Sequence, residues 1–137
     1  MHAWFNAGLR AVLRRFPASL APVLVLVTAL AGCGREQPQP VIVSGGNIEQ
    51  GKALLSQFQC GVCHVIPGVE AARGATGPDL GLFARRSYIA GQLPNTPEKL
   101  VQWIVDPPAI SPGTLMPNVG VSAEDARHMA AYLYTLR

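Results

Sequence analysis

The sequence predicts a small all-α domain of 91 residues, Asn47 to Arg137, behind an export signal and a tether. Three observations predict it. Three segments carry apolar residues at helical spacing behind recognisable caps. A basic, then apolar, stretch opens the chain. The whole chain is 137 residues and 14.5 kDa, which leaves room for one small domain and excludes large α/β enzymes, barrels and repeat arrays. Hydrophobic residues make up 49% and charged residues 14%, so the chain is not a disordered polar tail. The net charge of +3 comes from Arg10, Arg14 and Arg15; from Cys33 onward eight basic and eight acidic residues cancel. The mature part has no electrostatic footprint for nucleic acid, and none is expected as a partner.

Met1 to Arg15 holds those three arginines and no acid, and Phe16 to Ala31 is apolar apart from Pro17, Ser19, Pro22 and Thr28. Sixteen residues with two prolines fall short of the ~20 that cross hydrocarbon. A secretory signal over residues 1–32 is the expectation, with a single membrane-spanning anchor as the alternative. Leu30-Ala31-Gly32-Cys33 resembles the lipobox of bacterial lipoproteins. That resemblance implies cleavage before Cys33, lipidation of Cys33 and retention on the periplasmic face of a bacterial membrane; a stray thiol is the alternative. Gly34 to Gly46 follows as a flexible tether, since Gln37-Pro38-Gln39-Pro40 cannot form a regular helix and Ser44-Gly45-Gly46 is flexible. Val41-Ile42-Val43 is too short to stand as a strand by itself.

The first helix is expected from about Asn47 to Cys60, capped by Asn47, with Ile48, Leu54, Leu55 and Phe58 on one face. The second begins at Thr96-Pro97-Glu98, which supplies a cap, a proline at the first helical position and an acid at the positive end. Leu100, Val101, Trp103, Ile104 and Val105 follow, and Pro107-Pro108 stops it. The third starts at Ser122, with Asp125 completing a short capping box, and Ala126, Met129, Ala130, Leu133 and Leu136 repeat at helical spacing. His128 is expected to face solvent. Tyr132 against Gly51 is expected to join the first and last helices. Ile66 to Pro94, 29 residues rich in Gly and Pro, is too long for an ordinary loop in so small a domain, so something other than a peptide core should pack there.

Cys60-Gly61-Val62-Cys63-His64 is a CxxCH sequence, the attachment signal for a c-type haem. Residues three apart share a helical face. Both sulfurs can therefore reach the two vinyl groups on one porphyrin edge, and His64 can turn its imidazole under the iron. A redox disulfide would need a βαβ context, and a zinc site would need more ligands than three cysteines provide.

From Gly51 to Arg137 the chain resembles a class I cytochrome c domain. The matching segments are Gly51-Lys52-Ala53-Leu54-Leu55, Gly77-Pro78-Asp79-Leu80, Pro112-Gly113-Thr114-Leu115-Met116-Pro117 and Ala130-Ala131-Tyr132-Leu133. The resemblance implies the cytochrome c class I fold, three main helices around one covalently bound haem c, and a hydrogen bond from the free ring nitrogen of His64 to Pro78. Ile89 to Glu98, Trp103, Asp106-Pro107 and the Met116 loop are further similar to the haem domain fused to subunit II of some bacterial cytochrome c oxidases. This sequence departs from those proteins in carrying no counterpart of their copper-binding domain and spanning helices.

The iron's sixth ligand is expected to be Met116. Met129 is explained as core on the last helix, whereas Met116 sits in a Pro- and Gly-rich loop 52 residues after His64, where no helical packing accounts for it. His/Met ligation fills every iron position, so no small-molecule substrate is expected, and the soft thioether favours ferrous iron. Trp103 and either Arg85 or Arg86 are expected at the propionates, with Tyr88 a further candidate; for each the alternative is a core or solvated side chain. The expected function is a membrane-anchored monohaem cytochrome c, an electron carrier and not an enzyme. Its redox partners would be a terminal oxidase or a cytochrome bc-type complex. A haem sensor or small catalyst with a labile sixth ligand, and an accessory subunit of an oxidase complex, are the competing classes.

Overall fold

A computed structural model describes residues 39–137. The expected export signal at 1–32, Cys33 and residues 34–38 of the expected tether lie outside the described residues. The described part is all-α around one core: α1 (Ile48–Gln57), α2 (Pro97–Val105), a short α3 (Pro107–Ile110) and α4 (Ala123–Leu133). The long segment before α2 holds a two-residue antiparallel hairpin, β1 (Tyr88–Ile89) and β2 (Leu93–Pro94).

Each helix starts where its cap predicts. The Asn47 side chain accepts from the Gln50 N–H at 2.9 Å, and Thr96 accepts from the Lys99 N–H ahead of Pro97 and Glu98. Ser122 accepts from the Asp125 N–H at 3.0 Å, and its hydroxyl donates to the Asp125 carboxylate at 2.8 Å. Pro107-Pro108 stops α2 and also opens α3, because proline is tolerated in a first turn whose N–H groups have no partner anyway. Asp106 caps that turn through Ala109.

α1 ends at Gln57, earlier than the apolar spacing predicts. Gln59 takes a left-handed conformation (φ 56°), which no residue in an α-helix adopts, and Cys60–Val62 then forms a 3₁₀ turn. Both cysteines therefore sit on this tighter turn and its C-terminal edge, not on the face of α1.

The dominant contact is α1 against α4. The helices meet at Gly51, where an added Cβ would lie 1.9 Å from the His128 carbonyl oxygen. The close approach is thus to the α4 backbone, while the Tyr132 hydroxyl donates elsewhere, to the Pro67 carbonyl at 2.6 Å. His128 is buried, not solvent-facing: its Nδ1 accepts from the Asn47 N–H at 2.9 Å and so satisfies a helix-start donor.

The packed unit also begins before Asn47. Val43 sits in the core, its carbonyl accepts from Gly46, and a Cβ on Gly46 would meet Ala131 at 2.7 Å. Residues 43–46 are therefore a strap on α4 and not part of a free tether.

Residues 66–94 fold back on the CxxCH turn and contribute buried Ile66, Val69, Ala72, Leu80, Phe83 and Ile89. Asn95 ties this segment down. Its amide donates to the Phe83 and Arg86 carbonyls at 3.1 and 2.9 Å and accepts from the Tyr134 hydroxyl at 2.8 Å. Tyr134 also meets Phe83 edge-on, with ring centroids 5.6 Å apart. Burial, assisted by Glu98, pushes the Tyr134 phenol from 10.0 up to about 12. A raised phenol pKa gives stability that is complete below pH 10 and fades as pH rises through about 12. Urea midpoints across that window should fall less steeply for Tyr134→Phe than for the parent; identical slopes would contradict this role.

Candidate functional site

The helices and the 66–94 segment enclose a cavity of about 360 Å³ with a mainly apolar lining. α1 contributes Leu55 and Phe58, α2 contributes Leu100, Trp103 and Ile104, and α4 contributes Met129 and Leu133. The CxxCH turn brings Cys60, Cys63 and His64 to the same cavity, and the loop after α3 brings Thr114 to Pro117. His64 and Met116, 52 positions apart, thus close on one space.

The turn is built by backbone crowding. Gly74 N–H donates to the Gly61 carbonyl at 2.9 Å and Gly77 N–H to the Cys63 carbonyl at 2.7 Å. A Cβ on Gly61 would fall 2.5 Å from the Ala72 Cα, and one on Gly74 would fall 2.1 Å from the Val62 carbonyl oxygen. Cys60 and Cys63 are both free thiols and half-buried. Burial is the largest influence on Cys60 and pushes its thiol up, which keeps it protonated.

His64 is oriented by two neighbours. Its Nδ1 lies 2.8 Å from the Pro78 carbonyl oxygen. That oxygen can only accept, so Nδ1 carries the hydrogen and Nε2 is the ring nitrogen left to face a ligand. Gly77 lies against the ring, where an added Cβ would sit 2.4 Å from Cε1 and 2.6 Å from Nδ1. Gly77→Ala should therefore push the imidazole off Pro78 and cost about 1–3 kcal/mol. Thermal melting of the variant should come at least about 5 °C lower; an unchanged Tm would contradict this packing.

Met116 is half-buried and its N–H donates to the Thr114 hydroxyl at 3.3 Å. Turns hold the loop on both sides: Gly113 has φ 89°, and the Asn118 side chain accepts from the Gly120 N–H at 2.9 Å. Met129 lines the cavity too, but as a fully buried residue of α4. Trp103 is buried against the cavity, and no acceptor among the described residues engages its indole N–H.

The two arginines separate. Arg86 lines the cavity, donates to the Asp79 carbonyl and lies over the Phe83 ring. Arg85 is exposed and outside the lining, as is Tyr88, whose side chain is 59% exposed. Sequence reading missed Asn95 and Tyr134, which fix the Phe83–Arg86 rim. A side-chain amide just ahead of the Thr96 cap was the available signal.

A helical domain with a CxxCH turn on an apolar cavity belongs to the c-type haem class. The cytochrome c family model matches residues 48–137, and the chain belongs to that family. A cytochrome c oxidase subunit 2 of Alkalihalophilus pseudofirmus (strain ATCC BAA-2126 / JCM 17055 / OF4) is 36% identical over 89 residues, 64% of this chain and 25% of that protein. A protein of the same description from Bacillus subtilis (strain 168) is 32% identical over 88 residues, 63% of this chain and 25% of its own length. The chain thus spans about a quarter of these relatives. Membership makes haem c, covalently bound, the cofactor, and makes the chain an electron-transfer haem protein. The residues present fit that group: an apolar cavity, two free thiols beside it and an imidazole with one nitrogen reserved.

Proposed function

We propose that this chain is a lipid-anchored monohaem cytochrome c on the periplasmic face of a bacterial membrane. It passes single electrons between respiratory complexes, with a cytochrome bc-type complex as donor and a terminal oxidase as acceptor. The observation that supports it most is the convergence of His64 and Met116 on one apolar cavity beside Cys60 and Cys63. When bound, haem supplies a one-electron iron couple. Cys60 and Cys63 would hold it through thioethers, His64 Nε2 and Met116 Sδ would be the ligands offered to its iron, and the Pro78 carbonyl orients the imidazole for that role. Arg86 and Trp103 are the side chains offered to the propionates. The buried Trp103 and the apolar lining would exclude water from the bound group and so limit the reorganisation that accompanies each electron. With His64 and Met116 both engaged, the iron would offer no position to a small-molecule substrate.

Likeness to proteins described as cytochrome c oxidase subunit 2 supports the terminal oxidase as acceptor. The basic-then-apolar leader and Leu30-Ala31-Gly32-Cys33 support removal of residues 1–32 and anchoring through Cys33. Among the described residues no helix is long and apolar enough to cross a membrane. Two or three acyl chains, at roughly 0.8 kcal/mol per buried CH₂, would hold the domain stably. In a bacterial host, Cys33→Ala should move the haem protein from washed membranes into the soluble extract. Continued fractionation of that variant with membranes would overturn the anchor.

A further inference from the structure

Large apolar side chains are exposed on the CxxCH turn and the segment before α2 (Val62, Leu82 and Tyr88), and in two further groups of different kinds. Leu115 and Val119 belong to the loop that lines the cavity. Val41, Ile42 and Ile48 do not: they flank the strap that enters the fold at Val43, and none of them lines the cavity. Ile42 is 84% exposed while its neighbour Val43 is 7% exposed, so the strap is pinned on one side and presents Ile42 on the other.

From this we infer that Val41-Ile42, leading into the strap, is a membrane-contact surface, seated on anionic phospholipid and fixing the orientation of the domain. The inference rests on the lipid anchor at Cys33. Ile42 lies nine positions after that cysteine, a reach of at most about 30 Å. The described chain begins at Gln39, whose carbonyl accepts from Arg137 at 3.2 Å, so the strap is tied to the domain only six residues from Cys33. A tether this short holds the strap at high effective concentration beside the bilayer, where a weak apolar contact suffices. Cationic side chains flank it: Arg137 at Gln39, and Arg127, whose Cδ lies 4.0 Å from where a Gly45 Cβ would be. Apolar side chains with a basic border match the chemistry of an anionic lipid interface. Glu49 follows Ile48, so the apolar contact and not net charge does the seating.

The haem plane reports orientation directly. The haem-loaded, lipidated full chain is placed in supported bilayers of phosphatidylethanolamine and phosphatidylglycerol, and polarised reflection spectra of the Soret band are recorded. The parent should show an ordered haem, Ile42→Asp should fall to the isotropic ratio with the same amount of haem bound, and Ile42→Leu should keep the order. Ile42 is solvent-exposed, so an unchanged Tm of Ile42→Asp confirms that folding is intact. An isotropic parent that stays bound after washing would overturn this inference alone. Order retained in Ile42→Asp would do the same. A parent that washes off would overturn the anchor, and this inference with it.

Discussion

Met116→Ala is expected to convert a haem protein indifferent to carbon monoxide into one that binds it rapidly, and to abolish the ferric red-edge band of methionine–iron bonding. The loss of a soft thioether should also lower the reduction potential. Two methionines line the cavity, so the control is Met129→Leu. Met129 is fully buried on α4, and leucine nearly conserves its volume. That variant should keep the band and cost under about 1.5 kcal/mol of stability. Loss of the band in Met129→Leu and its retention in Met116→Ala would exchange the roles of the two residues. The loop explains the difference: Met116 is held by Thr114 and by turns at Gly113 and Asn118 to Gly120, with no helix to account for its half-burial.

Gly51→Ala should be among the most damaging single-methyl additions in the fold. Its Cβ would lie 1.9 Å from the His128 carbonyl oxygen and 3.0 Å from the Met129 backbone nitrogen. Backbone cannot rotate aside as a long side chain can, so α1 and α4 must separate. Overpacking costs about 1–3 kcal/mol where side chains yield, and here the upper end or more is expected. At about 4–8 °C per kcal/mol for a domain this size, Tm should fall by at least about 10 °C. The damage should spread to the site, because α1 leads directly into the CxxCH turn and α4 contributes Met129 and Leu133 to the cavity. A melting curve that coincides with the parent's would contradict the close crossing.

Local chemistry in the sequence located the three main helices, since their caps lie within three residues of the groups they satisfy: Asn47 with Gln50, Thr96 with Lys99, Ser122 with Asp125. The CxxCH motif was equally legible, being contiguous. The Met116 loop was legible only through its resemblance to known cytochromes and through the lack of a helical role for that methionine.

What escaped was long-range or conformational. His128 lies on a helix whose pattern marks it as polar, but its partner is Asn47, 81 residues away. Nothing local distinguishes a ring aimed at a distant N–H from one aimed at water. Val43 looked like part of a tether because its neighbours are Pro, Ser and Gly; its seat is α4, and the small residues Gly46 and Ala131 allow the approach. Gln59 broke the helical spacing because tertiary packing of the haem-binding turn overrides the conformation glutamine prefers. Arg85 and Arg86 were indistinguishable as neighbours in sequence. The 3₁₀ turn at Phe83–Arg85 sends only Arg86 to the cavity.

The most direct test of a carrier with both axial positions filled is the visible spectrum of the haem-loaded parent, oxidised and reduced, with and without carbon monoxide. The expected result is a ferric red-edge methionine band and a reduced spectrum that the gas leaves unchanged at neutral pH. A missing band together with a rapid shift on adding the gas would contradict it, and would mark an open iron suited to sensing or catalysis.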